Sequence, residues 1–221
     1  MSRLLLLLLL LLPGTLGTLG GTRKDLAMLA PPTNVRFDSV DYKNILCWSP
    51  PANSSSLLYY VQWKIYGDPQ WLDVSSCQGT LKLQCDLSNV TSAPREWYYA
   101  RVRSSSQTSS RSDWSLSPRF SPRWDTKLSP PVLRLDVTEK RIIVRVKPPT
   151  PHIRKMFRRL QYKIYLIHPS GEEELFIVDC CPGKLTLHLK HKQKYCIQAQ
   201  TRIFLQAKIS ARSPPTCVTT F

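Results

Sequence analysis

After residue 12 the sequence has no apolar run long enough to cross a bilayer, which takes about 20 residues. It also lacks the 3.6-residue periodicity of long amphipathic helices, which argues against a helical bundle. There is no Gly-x-Ser-x-Gly, no His-Glu-x-x-His and no glycine-rich phosphate loop. All four histidines (His152, His168, His188 and His191) fall in the last third of the chain, and none adjoins a recognisable nucleophile. The run Glu172-Glu173-Glu174 reads as a solvated turn rather than an acid/base pair. His188, His191 and Cys196 are close in sequence but match no metal-ligand spacing. These absences exclude an enzyme, and no catalytic residue, cofactor or metal is expected. Acidic residues are scarce, 15 against 31 basic ones, giving a formal charge of +16.

What is present begins with a leader. Met1-Ser2-Arg3 precedes nine leucines, Leu4 to Leu12, followed by Pro13 and a small-residue stretch from Gly14 to Gly21. A positive start, a short apolar core and a small-residue exit form a secretory signal peptide, assigned to residues 1–21. With no second apolar run, no membrane span and no lipid-anchor tail are expected. The reading is a secreted, extracellular, soluble protein, a setting that leaves no role for nucleic acid.

The rest of the chain repeats itself. Val61-Gln62-Trp63-Lys64-Ile65-Tyr66 recurs as Leu160-Gln161-Tyr162-Lys163-Ile164-Tyr165, 99 residues later. Pro31-Pro32 and Pro130-Pro131 repeat at the same offset, and Pro50-Pro51 and Pro148-Pro149 at 98. A period this long is a domain rather than a solenoid unit of about 20–50 residues. Each copy alternates apolar and polar residues, as half-buried strands do, between Pro, Ser, Asn and Gly clusters. The fold class is therefore all-β, with two β-sandwich domains at 22–128 and 129–221. Strands are expected at Asn34–Val40, Lys43–Trp48, Tyr59–Tyr66, Gln70–Val74, Leu81–Leu87, Trp97–Ser105 and Ser115–Phe120. In the second copy they are expected at Val132–Val137, Arg141–Val146, Arg159–His168, Glu174–Val178, Leu185–Leu189, Tyr195–Arg202 and Pro215–Phe221. The linker Ser121–Ser129 is short and holds Trp124, which favours a fixed elbow.

Within this frame, secretion makes disulfides the default for cysteine. Cys77 pairs with Cys85 across a turn-rich segment, and Cys196 with Cys217 on the last two strands. Cys47, Cys180 and Cys181 remain. Adjacent cysteines rarely bridge, an odd count leaves at least one thiol unpaired, and Cys47 beside the core residue Trp48 reads as a buried free thiol. Trp114 is expected to stack on Arg101 and Arg103. The sequons at Asn53 and Asn89 fall in loops, where glycosylation is feasible. The copies part after Lys-Ile-Tyr: Gly67 ends the strand in the first, so Tyr66 projects from a tight turn as an interface anchor. The charge is uneven. Residues 130–221 hold 17 basic and 6 acidic residues, a formal +11, against +4 for 22–129. A strongly basic secreted domain suits an acidic protein surface or a sulfated glycan.

Leu57–Trp71, the Cys77 to Cys85 spacing followed by Asp86-Leu87, Tyr98–Arg103, Ser112–Phe120, Trp124–Lys127 and Pro130–Val132 together resemble the class II cytokine receptor family. The resemblance implies two tandem fibronectin type III (immunoglobulin-like) domains set at a bend. It implies that loops near the elbow bind a helical cytokine of the interleukin-10 family, interleukin-22 or a relative. The implied contacts are Tyr66, Gly67 and Asp68 in the turn after the third strand. They extend to the Ser106–Arg111 loop with Thr108 and Arg111, and to the Pro149–Arg158 loop with Arg154. That last loop departs from the family in being short and basic, and Cys47, Cys180 and Cys181 depart as well. Without a signalling segment, such a receptor acts as a decoy that sequesters its cytokine. The alternatives are the truncated ectodomain of an interleukin-20-type membrane receptor, or a protein binding heparan sulfate through Arg154–Arg159 and Lys190–Lys194.

Overall fold

The alternation seen in sequence becomes two stacked sheets in each half of the chain. The computed structural model describes residues 29–52, 56–107, 110–139, 141–157 and 159–221. The leader, Asn53 and Thr108 lie outside the described residues, as does the side chain of Arg154. Seven strands form the first domain: β1 (Thr33–Val40), β2 (Lys43–Ser49), β3 (Leu58–Ile65), β4 (Leu72–Thr80), β5 (Gln84–Asp86), β6 (Tyr98–Ser105) and β7 (Ser115–Leu116). They pair as β1-β2-β5 and β4-β3-β6-β7. A short helix, α1 (Pro122–Asp125), leads into the second domain. There β8 (Val132–Thr138), β9 (Arg141–Lys147), helix α2 (Pro151–Met156), β10 (Leu160–Ile167), β11 (Glu173–Asp179), β12 (Gly183–Leu187) and β13 (Lys194–Ile203) follow in order. A 3-10 turn at Phe204–Gln206 precedes β14 (Lys208–Ile209) and β15 (Thr216–Thr219). The sheets are β12-β9-β8 and β11-β10-β13-β14, with β15 also paired to β13.

Inward-facing residues of the two sheets meet as separate cores. The first holds Leu46, Trp48, Val61, Leu87, Ala100 and Val102; the second holds Val144, Tyr162, Ile164, Leu166, Ile197 and Ala199. Burying each large aliphatic side chain stabilises by about 1.5–3 kcal/mol. Trp48 packs against Tyr59 with ring centroids 5.5 Å apart. Val146 stands at the matching place in the second domain, where the wholly buried ring of Tyr162 supplies the aromatic bulk instead.

Several boundaries differ from the sequence expectation, each for a local reason. β4 begins later and runs to Thr80, because irregular pairing near Tyr60 lets β3 carry a longer partner. β7 stops at Leu116, since Pro118 has no N–H to continue the ladder and only an isolated bridge from Tyr98 to Phe120 follows. The short basic loop after β9 contains α2, started by Pro151, whose fixed φ suits a first helical turn.

The domains meet at a hydrogen-bonded elbow. Asp41 and Tyr42, the two-residue turn between β1 and β2, both have positive φ, 53° and 66°. Such a turn matches strand twist, but a non-glycine residue there is strained. Neighbours hold it. The Asp41 N–H donates to the Lys127 carbonyl at 2.8 Å, and the Tyr42 N–H to Thr126 Oγ1 at 3.0 Å. The Ser129 N–H donates to Asp41 Oδ1 at 2.9 Å. The Tyr42 ring enters a cluster with Leu128, Ile153, Leu160 and Ile203, and its hydroxyl donates to Gln206 Oε1 at 2.9 Å. Lys208 Nζ donates to the carbonyls of Trp124 and Thr126 at 2.9 and 2.6 Å.

Candidate functional site

β3 ends at Ile65, and the next residues turn back. The Tyr66 N–H donates to the Trp97 carbonyl at 2.7 Å, and the Asp68 N–H to the Ile65 carbonyl at 3.2 Å. Gly67 has φ +94°, and nothing lies within 4 Å of where a Cβ would sit. Backbone conformation rather than crowding therefore calls for glycine. Lys64 Nζ caps the turn at the Asp68 carbonyl, 3.0 Å away. Tyr66 itself is 58% exposed. Its ring stands 6.2 Å from that of Tyr99, and the Arg119 guanidinium lies 5.8 Å from it and 4.2 Å from the Trp97 ring. An apolar ring is thus held in water at a fixed turn.

Behind it, on the outer face of β4-β3-β6, cations and indoles alternate. Arg101 lies 4.2 Å from the Trp71 ring and 4.4 Å from Trp114, and Arg103 lies 4.5 Å from Trp114. Trp114 therefore stacks on both arginines, as its position after β6 suggested. Gln62 Oε1 accepts from Arg101 Nε and Nη2 at 2.9 and 2.6 Å. Burial, and secondarily the charge of Arg103, lower the Arg101 pKa. The stack stiffens the sheet that ends in the Tyr66 turn.

The structure does not bring Arg111 to this site. β3 and β6 are antiparallel neighbours, with Ile65 opposite Tyr98 and Leu58 opposite Ser105. Arg111 bridges to Ser105, one strand length from Tyr66, about 25 Å at 3.3 Å per residue. Antiparallel pairing instead places the entry to β6 beside the exit from β3. The segment before β6, with Arg95 and Trp97, is what reaches the Tyr66 end. The signal was present in the sequence as the residues flanking two paired strands.

At the elbow, with Arg95 on its first-domain side, lies a cleft of about 400 Å³ between the domains. Arg95, Arg123 and Arg159 line it together with the apolar Met156, Phe157, Ile203 and Leu205. Beside it the turn after β13 presents Phe204 and Leu205, 58% and 71% exposed, and Trp124 is 53% exposed. Arg154 belongs to α2 at this same end, where Ile153 is buried in the elbow cluster. The turn after β13 was missed in the sequence, because Phe204 and Leu205 read there as ordinary apolar residues following a strand.

The disulfides Cys77–Cys85 and Cys196–Cys217 are formed. Cys180 and Cys181, whose state the sequence leaves open, lie with their sulfurs in contact in the turn after β11. One cysteine reading needs correction. Cys47 is free but not buried in the core: Leu46 and Trp48 point inward, so the residue between them faces outward and is half-buried. Partial burial raises its pKa. Asn89 is exposed in the turn after β5, whereas Thr91 of the same sequon is buried, accepting from Asn44 Nδ2 at 2.7 Å. Among the described residues no helix is long and apolar enough to cross a membrane.

Comparison with known proteins places this geometry. A tissue factor family model matches residues 2–114, and an interferon-alpha/beta receptor fibronectin type III model matches residues 126–221. Interleukin-22 receptor subunit alpha-2 of Rattus norvegicus is 34% identical over 199 residues, covering 85% of this chain and 86% of the relative. Interleukin-20 receptor subunit alpha of Mus musculus is 28% identical over 207 residues, covering 87% of this chain but 37% of the relative. The crystal structure of chicken interferon gamma receptor alpha chain superposes with a TM-score of 0.76 at 23% identity, over 87% of this chain and 98% of that one.

Proposed function

The chain belongs to the class II cytokine receptor family, and on that premise we propose that it binds a helical cytokine, interleukin-22 before others, at the elbow. The observation that carries this reading is Tyr66. It is a ring 58% exposed on a turn that its neighbours fix from both sides. Large exposed aromatics on rigid supports dominate protein interfaces, because they bury much area with little ordering cost. Gly67 and Asp68 extend the surface along the same turn. Arg95, α2 with Arg154, and the Phe204–Gln206 turn extend it across the elbow. The mixture of exposed apolar residues and guanidinium groups suits a helix whose apolar face is flanked by carboxylates.

The finer reading is that the protein is secreted and sequesters the cytokine as a decoy. Its support is the apolar leader of residues 1–21 and the greater similarity to interleukin-22 receptor subunit alpha-2, at 34% identity, than to interleukin-20 receptor subunit alpha, at 28%. A surface plasmon resonance panel of interleukin-10-family cytokines tests the binding, with interleukin-22 expected to bind. Failure of every member to bind would sink the proposal. Conditioned medium from expressing cells should block an interleukin-22 reporter; activity confined to the membrane fraction would favour a signalling subunit. A sulfated glycan of the heparan sulfate type is a second partner class. It is favoured by the formal +11 of residues 130–221.

A further inference from the structure

The two domains carry the same three-stranded sheet in the same register, and their outer faces differ in charge. In the first, Arg36 pairs with Cys47 and Cys47 with Gln84, forming one outward row across β1-β2-β5. In the second, Arg134 pairs with Arg145 and Arg145 with Lys184 across β8-β9-β12. The rows are equivalent, since Arg36 and Arg134, and Cys47 and Arg145, each stand 98 residues apart. One row further on, the first domain sets Asp38, Ile45 and Asp86, and the second sets Asp136, Ile143 and Thr186. A thiol, an amide and a carboxylate in the first copy are thus replaced by two cations and a hydroxyl in the second.

Like charges directly opposite one another destabilise a sheet. Three in a row, all exposed, therefore run against the fold's own interest. Asp136 offsets one of them, at 2.7 Å from Arg145 Nε. Lys147 adds a fourth cation on the same face, two residues beyond Arg145. A groove of about 540 Å³ opens beside the row, lined by Arg145, Lys147 and Lys184 with Pro148 and Pro182. Arg141, exposed on β9 in phase with Arg145, continues the positive charge toward the turn with β8.

We infer that this face of the second domain is the binding site for a linear sulfated polysaccharide. The inference rests on the glycan reading for its ligand and adds the site. At strand spacings near 4.8 Å and 3.3 Å per residue, the cations of the sheet spread over about 10 by 20 Å. A chain of repeating sulfates meets that spacing; a single phosphate meets one or two of the groups. The face has little to insert into a lipid surface: among its described residues Val132 is the one large apolar side chain that is exposed, and only by about half. Neither expected glycan segment supplies this row: Arg159 lines the elbow cleft, and Lys190 and Lys192 lie in the connection from β12 to β13.

The test compares two triple variants of the full chain with equal net charge. R134Q/R145Q/K184Q empties the row, and R36Q/K43Q/K82Q removes three exposed cations from the first domain. Affinity for immobilised heparin at physiological salt should fall roughly tenfold or more in the first, as three surface ion contacts allow, and by less than about threefold in the second. On a sulfopropyl resin both should elute earlier by the same amount. If the unmodified protein shows no preference for heparin over that resin, the glycan reading fails. If it prefers heparin and both triples weaken equally, the glycan reading stands and the site is overturned. Competition by poly-glutamate or phosphatidylserine vesicles as effective as by heparin overturns the ligand. Removing like-charge repulsion should leave the melting temperature unchanged or raised; should the triple not fold, Lys184→Gln alone carries the comparison.

Discussion

Tyr66 and Tyr165 end the same tripeptide, Lys-Ile-Tyr, on the same strand of two copies of one sandwich, and their surroundings diverge. Tyr165 lies mid-strand in β10, between Leu175 and Gln198. Its hydroxyl donates to Gln200 Oε1 at 2.6 Å, and the Arg212 guanidinium covers its ring at 3.7 Å. Tyr66 lies just past the end of β3 because Gly67 turns the chain there. One glycine thus turns a sheet tyrosine into an exposed one. The lesson is that a duplicated scaffold acquires a binding feature where one copy stops a strand that the other continues.

The cores separate the copies most. Trp63 and Tyr162 are equivalent by the 99-residue offset, yet Trp63 is half-buried and Tyr162 wholly buried. Tyr162→Ala should cost about 3–5 kcal/mol, as large aromatic truncations in cores do, and Trp63→Ala distinctly less. Chemical denaturation of both variants measures this. Equal losses would show that the domains share one way of filling their cores.

Next comes the tyrosine pair itself. Tyr66→Ala should weaken cytokine binding by about 2 kcal/mol, roughly thirtyfold in Kd, while Tyr165→Ala leaves it unchanged and lowers stability instead. Surface plasmon resonance with melting curves separates the two effects. If Tyr66→Ala keeps full affinity, the anchor lies elsewhere on the elbow.

A smaller effect tests why the second core accepts Tyr162. Gly183 opens β12 beside it, and a Cβ there would lie 2.7 Å from Tyr162 Cε2 and 2.9 Å from the Val146 carbonyl oxygen. Gly183→Ala should destabilise by about 1–3 kcal/mol. Combining it with Tyr162→Leu should recover part of the loss, since the two positions touch and their effects are coupled. Additive losses would mean that the ring is not what requires glycine.

These comparisons show what the sequence made legible. Period two is a property of single strands, so all fourteen expected strands could be found, and the 98- to 99-residue offsets gave the duplication. Pairing is not local. The Ser106–Arg111 loop, expected as a contact alongside Tyr66, lies at the other end of the sheet because β3 and β6 run in opposite directions, and it is Trp97 that meets Tyr66. Cys47 was misread for a similar reason: neighbouring Trp48 is in the core, but the next residue along a strand faces the other way. The charged row of Arg134, Arg145 and Lys184 is scattered over fifty residues in sequence. It exists only once three strands are aligned.

The elbow gives the smallest and most specific test, because it uses a turn that the copies place differently. The turn between β1 and β2 meets the second domain, whereas the turn between β8 and β9 lies at the end away from the elbow. Tyr42 in the former has its pKa pushed up to about 12, chiefly by burial, against the lowering effects of the Gln206 hydrogen bond and Arg123. An unfolded tyrosine titrates near 10. Between those values the unfolded chain has released the proton and the folded chain still holds it. The contribution of Tyr42 is therefore fully present below about pH 10 and is lost as pH rises toward 12. Tyr42→Phe removes both this titration and the hydrogen bond to Gln206, whose loss should cost about 0.5–1.5 kcal/mol at neutral pH. The stability advantage of Tyr42 over Phe, measured by denaturation across pH 7 to 12, should stay level to about pH 10 and then shrink. A constant advantage through pH 12 would mean that the hydroxyl titrates alike in both states, and that the buried elbow is not what raises its pKa.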